Sequence, residues 1–232
     1  DCSNIRGGGG ITNIKELLTH ACNISDIKID KVIIWAADPL LSLIPSKEWV
    51  QVETPKYLKK SFIHRFFWQT FILKKVAKSR KCDVLYFPGG TYLGAFRPFV
   101  TISQNLLPFE YKELRRYFFS PKILKFFLLR IFQSISFKKA NGLIFLTKYA
   151  EKVVINNKGY LYTNREIIPH GISKDFFCSP KKYDHSAINL KKKINILYVS
   201  IIDKYKHHCH VINAVNILRK TFPQIQLHLV GP

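Results

Sequence analysis

Apolar and polar positions along the chain predict helices and strands in turn. After Ile11, apolar residues fall at Ile14, Leu17, Leu18, Ala21 and Cys22, the spacing of one buried helix face. Residues 31–37 form a continuous apolar run of the kind a strand buried on both faces requires, and residues 49–53 are a shorter one. Residues 59–80 carry a long helical pattern holding Phe62, Ile63, Phe66, Phe67, Phe71 and Leu73; residues 83–87 read as a strand that Pro88-Gly89-Gly90 ends. Residues 99–103 predict the next strand, followed by a two-part helical region to about residue 139, with Ser120 and Pro121 as N-cap and first helical position. Residues 142–146 are a strand, Thr147 is the N-cap of a helix over 148–157, and 166–169 form a short strand. Such alternation implies βαβ units, a mostly parallel Rossmann-like sheet with helices on both faces, and ligands at the carboxyl ends of the strands.

Residues 179–193 break the pattern with Pro180, Lys181-Lys182 and Lys191-Lys192-Lys193, and we read them as a linker. A strand over 194–200, a helix over 208–221 and a strand over 225–230 follow. The predicted organisation is therefore a domain over 1–178, the linker, and from 194 to 232 the start of a second α/β domain. One βαβ unit cannot cover its own sheet, so that domain is expected to continue. The chain opens at Asp1 and holds no Met, and we expect it to be cut from a longer product.

The first predicted helix is preceded by Gly7-Gly8-Gly9-Gly10. Glycines let backbone N–H groups approach a ligand, and a helix N-terminus favours phosphate or carboxylate; a plain flexible connector fits the same residues. Charge gives this more weight. The chain of 232 residues carries 37 Lys and Arg against 15 Asp and Glu, a formal net charge of +22, which implies a polyanionic partner. Five widely spaced cysteines without a CxxC pair suit a reducing compartment. The richest apolar segment, 123–137, is broken by Lys125 and Arg130, so nothing reads as a membrane span.

Residues 54–82 hold nine Lys or Arg and no acid, interleaved with Phe62, Phe66, Phe67, Trp68 and Phe71, and residues 112–139 are a second basic-aromatic stretch. We read the aromatics as the core-facing stripe of sheet-covering helices and the excess charge as contact with an anionic bilayer. Nucleic acid is not expected, since no recognised binding motif accompanies the charge. His207-His208-Cys209-His210 resembles a metal cluster, yet no second cluster supplies the remaining ligands, so no metal is expected there. No GxSxG, no HExxH and no paired carboxylates point to hydrolysis.

Five segments carry a resemblance: Gly7-Gly8-Gly9-Gly10-Ile11; Phe87-Pro88-Gly89-Gly90-Thr91; residues 101–109 around Gln104; Ile167-Ile168-Pro169-His170-Gly171-Ile172 with Phe176; and Ile196-Leu197-Tyr198-Val199-Ser200 with Lys206 and Leu229-Val230-Gly231. In this order the chain resembles the GT-B fold retaining glycosyltransferases of family four, of the O-antigen and capsule type. The resemblance implies transfer of a sugar from a nucleotide-sugar donor to a lipid-linked or polysaccharide acceptor, without a metal or other cofactor, peripherally at the cytoplasmic face of the cell membrane. It implies that Gly8, Gly9 and Gly10 lie by the donor pyrophosphate and the acceptor. Gly171 and Ser200 are implied as donor-side binding positions. Lys206 would neutralise the diphosphate leaving group, and Gln104 stands where many members have a histidine facing the transferred sugar. Ile201 replaces a second phosphate-binding arginine, and His170 replaces an asparagine, where a loop role is expected. The family's Glu-x7-Glu motif is absent from the chain, so residues 1–232 alone are expected to be inactive.

Two other readings come from the residues. Charge and glycines alone fit a non-catalytic α/β module for a nucleotide or nucleic acid. A dinucleotide-dependent oxidoreductase would need GxGxxG, and Asn13 occupies the place of its third glycine.

Overall fold

The computed structural model describes residues 1–21, 29–158, 163–180 and 193–231. It is a mixed α/β structure with parallel sheets, and the chain separates into two compact units, one of residues 1–111 and 124–171 and one of residues 112–123 and 172–232.

In the first unit, helix α1 spans Gly9–His20, and strands β1 (Val32–Trp35) and β2 (Val50–Glu53) pair in parallel. Helix α2 (Phe62–Phe67) runs through a π-helical turn, Trp68–Ile72, into α3 (Leu73–Ser79). Strands β3 (Leu85–Phe87), β4 (Phe99–Ser103), β5 (Gly142–Phe145) and β6 (Asn164–Ile167) form a four-stranded parallel sheet in that order. Between β3 and β6 the chain passes through the short α4 (Tyr111–Leu114), the long α5 (Lys122–Lys139) and α6 (Lys148–Lys158).

The two sheets are bridged by the first two residues. Cys2 N–H donates to the Trp35 carbonyl at 2.9 Å and the Asp1 nitrogen donates to the Tyr86 carbonyl at 2.7 Å, so this backbone lies between β1 and β3. Across the unit the order is β2, β1, residues 1–2, β3, β4, β5, β6. Strand order therefore reverses at residues 1–2, a topological switch point of the sort at which open α/β sheets bind ligands.

Buried aromatics fill the unit on both sides of this point. Trp35, Trp68, Phe87, Tyr92 and Phe99 form one cluster, Ile11, Ile14 and Leu18 of α1 pack with Ile34 and Leu40 in a second, and Phe109, Phe137 and Phe145 anchor a third.

Most predicted elements are present within a few residues of their expected limits, and three local expectations change. The first helix starts two residues earlier, so Gly9 and Gly10 form its first turn and Gly8 its N-cap; on it, Leu17 is exposed, whereas Cys22 lies outside the described residues. The single helix expected over 59–80 is broken into α2, the π-turn and α3. Of its aromatics only Trp68 is a core residue: Phe62, Phe67 and Phe71 are exposed, as is Ile63, and the buried positions are Trp68, Gln69, Leu73 and Ala77. The expected N-cap at Thr147 is present, its Oγ1 accepting the Ala150 N–H at 3.0 Å. The predicted linker falls largely on residues outside those described.

The second unit holds two parallel strands, β7 (Ile194–Val199) and β8 (Ile225–Val230), joined by α7 (His208–Arg219). Leu197, Val199 and Val230, which share one face of this pair, stay exposed, because one helix covers only one face of such a sheet. Among the described residues of the chain no helix is long and apolar enough to cross a membrane.

Candidate functional site

The loop between residues 1–2 and α1 begins the site. Gly8 caps the helix with φ 63° and ψ −155°, a backbone region that only glycine occupies at low cost, and no side chain caps the first turn. The first-turn N–H groups of α1 are thus presented at the switch point. One turn further on, the Asn13 amide nitrogen lies 3.0 Å from His170 Nδ1, and its Oδ1 accepts from Gln104 Nε2 at 3.4 Å. Gln104 follows the carboxyl end of β4 and His170 follows that of β6. The parallel sheet therefore brings two polar side chains from distant segments, Gln104 and His170, to Asn13 of α1.

Below the glycines the polar groups are tightly paired. The Asp1 carboxylate accepts from Ser3 Oγ at 2.6 Å, Gln69 Nε2 at 2.8 Å and Trp68 Nε1 at 2.9 Å. Asn4 donates to Gln69 Oε1 at 3.3 Å and accepts from Arg65 Nε at the same distance. Arg6 donates to the carbonyls of Asp38 and Leu58. Burial pushes the Arg65 guanidinium below its ordinary value, and the neighbouring Arg6 charge adds to the shift. Two cationic groups are thus set next to the glycine loop, which favours an anion there.

A small, open crevice lies beside this network, lined by Asn4, Gln69, Thr70 and Thr91 together with the aromatic rings of Phe62, Phe66 and Phe132. The hydroxyl of Thr70 is buried and has no hydrogen-bond partner.

No known family model matches the chain, and no curated protein matches it.

The expected site residues divide between the units. Gly8, Gly9, Gly10, Gln104 and Gly171 belong to the first, where Gln104 meets the helix that Gly8 caps and Gly171 follows His170. Ser200 and Lys206 belong to the second. Ser200 directly follows β7, its N–H donating to the Val230 carbonyl at 2.9 Å, and Gly231 packs on it so closely that a Cβ there would stand 2.1 Å from the Ser200 carbonyl oxygen. Lys206 ends the short turn Lys204–Lys206 before α7; its carbonyl accepts from Tyr198 Oη at 2.6 Å and its Nζ lies 4.9 Å over the Tyr205 ring.

That turn is anchored by Asp203, whose side chain accepts the Lys204 N–H at 2.7 Å and the hydroxyl of buried Tyr117, and pairs with Lys122 at 3.0 Å. Burial, with the Asp203 carboxylate second, pushes the Tyr117 phenol up to about 12. Burial also pushes the Asp203 carboxyl up, but the hydrogen bonds from Tyr117, Lys122 and Lys204 outweigh it and leave the group below its ordinary value. His207 caps α7 with φ 58° and its Nδ1 lies 3.3 Å from that of His210; among the described residues no group of three or more His, Cys, Asp or Glu is placed to hold a metal.

Sequence reasoning missed Asn13 as a member of the site and gave His170 only a loop role. The signal for Asn13 was its place one turn into a helix opened by glycines, but its partners lie 91 and 157 residues away, beyond any local pattern. The Tyr117–Asp203 pairing was equally invisible.

Proposed function

We propose that the protein is a GT-B type retaining glycosyltransferase that moves a sugar from a nucleotide-diphosphate donor to a lipid-linked or polysaccharide acceptor at the inner face of the cell membrane. One observation carries this reading: the glycine-capped start of α1, Asn13, Gln104 and His170 converge at the carboxyl ends of a parallel sheet, next to the point where strand order reverses. The motif order along the chain agrees with it. In this reading Gln104 faces the transferred sugar through its amide. Lys206 offsets the charge that develops on the departing diphosphate, and Gly8, Gly9, Gly10, Gly171 and Ser200 offer backbone and hydroxyl groups to the substrates. The leaving diphosphate takes the acceptor hydroxyl's proton as the new glycosidic bond forms on the same face. The protein then supplies positioning and charge stabilisation rather than an acid-base pair.

The test uses the protein expressed from its complete gene, a panel of labelled nucleotide-diphosphate sugars and a membrane lipid extract as acceptor. Sugar transfer to lipid is expected, falling by about 100-fold in Lys206→Ala and about 10-fold in Gln104→Ala. Transfer unaffected by either substitution removes the assigned roles. No transfer from any donor, together with salt-sensitive binding to DNA, would favour a nucleic-acid-binding module instead.

A further inference from the structure

Helix α5 is turned inside out. Its buried positions are Gln133, Ser134, Ser136 and Phe137, three of them polar. Its outward stripe is apolar: Leu124, Phe127, Leu128, Ile131 and Ile135 are 63%, 58%, 43%, 37% and 37% exposed, at the i, i+3, i+4, i+7, i+11 positions of a single face. The inner residues hold this orientation by specific bonds, Ser136 Oγ accepting the buried Tyr92 N–H at 3.0 Å and the Ser134 hydroxyl donating to the Arg130 carbonyl.

The stripe does not end at α5. Phe132 meets Phe66 of α2 with ring centres 6.2 Å apart and lines one crevice with Phe62, and along α2 and the π-turn Phe62, Ile63, Phe67 and Phe71 are 56%, 74%, 48% and 58% exposed. Two helices of the first unit thus present one apolar face, larger than the scattered exposed side chains usual on a soluble domain. The basic residues run along it. Lys75 and Lys78 follow Phe71 by four and seven residues, Lys125 sits beside the stripe, Lys138 and Lys139 close its end, and neither residues 54–82 nor α5 contains an acid. An apolar face whose own helices carry cations and no acid complements one partner on both counts: hydrocarbon under an anionic surface. Neither helix is long and apolar enough to cross a membrane, so the pair must lie along it.

We propose that the α2–α5 face docks in the plane of an anionic lipid bilayer, with Ile63, Phe67, Phe127 and Ile131 entering the acyl region and Lys75, Lys78, Lys125 and Lys138 meeting the headgroups. The inference rests on the membrane location of the proposed function and gives it a docking face; sugar transfer itself is not needed for it, so vesicle binding and transfer can fail separately.

Co-sedimentation of the full chain with vesicles of phosphatidylcholine, with and without phosphatidylglycerol, tests it without donor or acceptor. The chain is expected to bind the anionic vesicles and to leave the neutral ones in proportion. Ile63→Ser/Phe127→Ser/Ile131→Ser should weaken binding by about tenfold or more, since each loses buried apolar area, with an unchanged circular dichroism spectrum. Lys75→Glu/Lys78→Glu/Lys125→Glu, which leaves every apolar residue in place, should weaken it as strongly and flatten its salt dependence. Failure to bind anionic vesicles overturns the proposal. So does equal binding to neutral vesicles, binding unchanged in both triple variants, or a concentration-dependent dimer that the serine variant abolishes in a chain that ignores vesicles.

Discussion

At the scale of single residues, the glycines show how differently one residue type is constrained. Gly90 has φ 75°, and a Cβ built on it would lie 2.9 Å from the Gln133 amide and 3.2 Å from the Ile102 carbonyl oxygen. Gly8 has φ 63° but only open space around it. Gly90→Ala should therefore destabilise the fold by about 2–4 kcal/mol, through strain and clash together, and Gly8→Ala by about 1–2 kcal/mol through strain alone. Denaturant titrations of the two variants would measure the difference, and a larger loss at Gly8 would contradict this ranking. The glycine run of residues 7–10 was legible in the sequence as a candidate loop. Its division into a strained cap and two helical residues was not, because identical residues carry no mark of which one must take the positive φ.

At the scale of elements, the turn bearing Lys206 depends on Asp203. The carboxyl's value is depressed in the folded protein, so its stabilisation is present above the ordinary carboxylate range and is lost as pH falls through the lower folded value. Asp203→Asn should cost about 1 kcal/mol at pH 7. The gap between wild type and variant should begin to shrink as pH falls below the ordinary carboxylate range of about 4 and close only once pH lies below the lower folded value, where the folded wild-type carboxylate also protonates. Thermal melts of both proteins at neutral and acid pH would show this; a gap constant with pH would mean that Asp203 contributes nothing through its charge. Elements themselves were readable wherever they were regular. Strands at 99–103 and 225–230 and the helix capped by Thr147 fall where alternation and capping chemistry put them. The breaking of α2–α3 and the reversal of α5 were not readable, because a 3.6-residue period gives the width of an apolar stripe but not the direction it faces. On α5 that direction is set by the small inward Ser136 and the bond it makes to Tyr92, 44 residues away.

At the scale of the molecule, charge dominates. A formal net charge of +22 on 232 residues implies strong self-repulsion in the compact state. Raising ionic strength from about 0.01 M to about 0.15 M shortens the screening length from about 30 Å to about 8 Å, and the melting temperature should rise by a few degrees. A fall over that range would mean that attractive pairs outweigh repulsion. The sequence by itself determined this charge, the alternating α/β class and the approximate place of most elements, because each depends on residues close together in the chain. Only the tertiary structure decided that the backbone of residues 1–2 sits where strand order reverses, that Asn13, Gln104 and His170 share one site, and that Phe62 and Phe67 of α2 and Phe127 of α5 face outward. Each of these results from contacts between segments tens of residues apart, and the free energy of such contacts exists only once the sheet has brought the segments together.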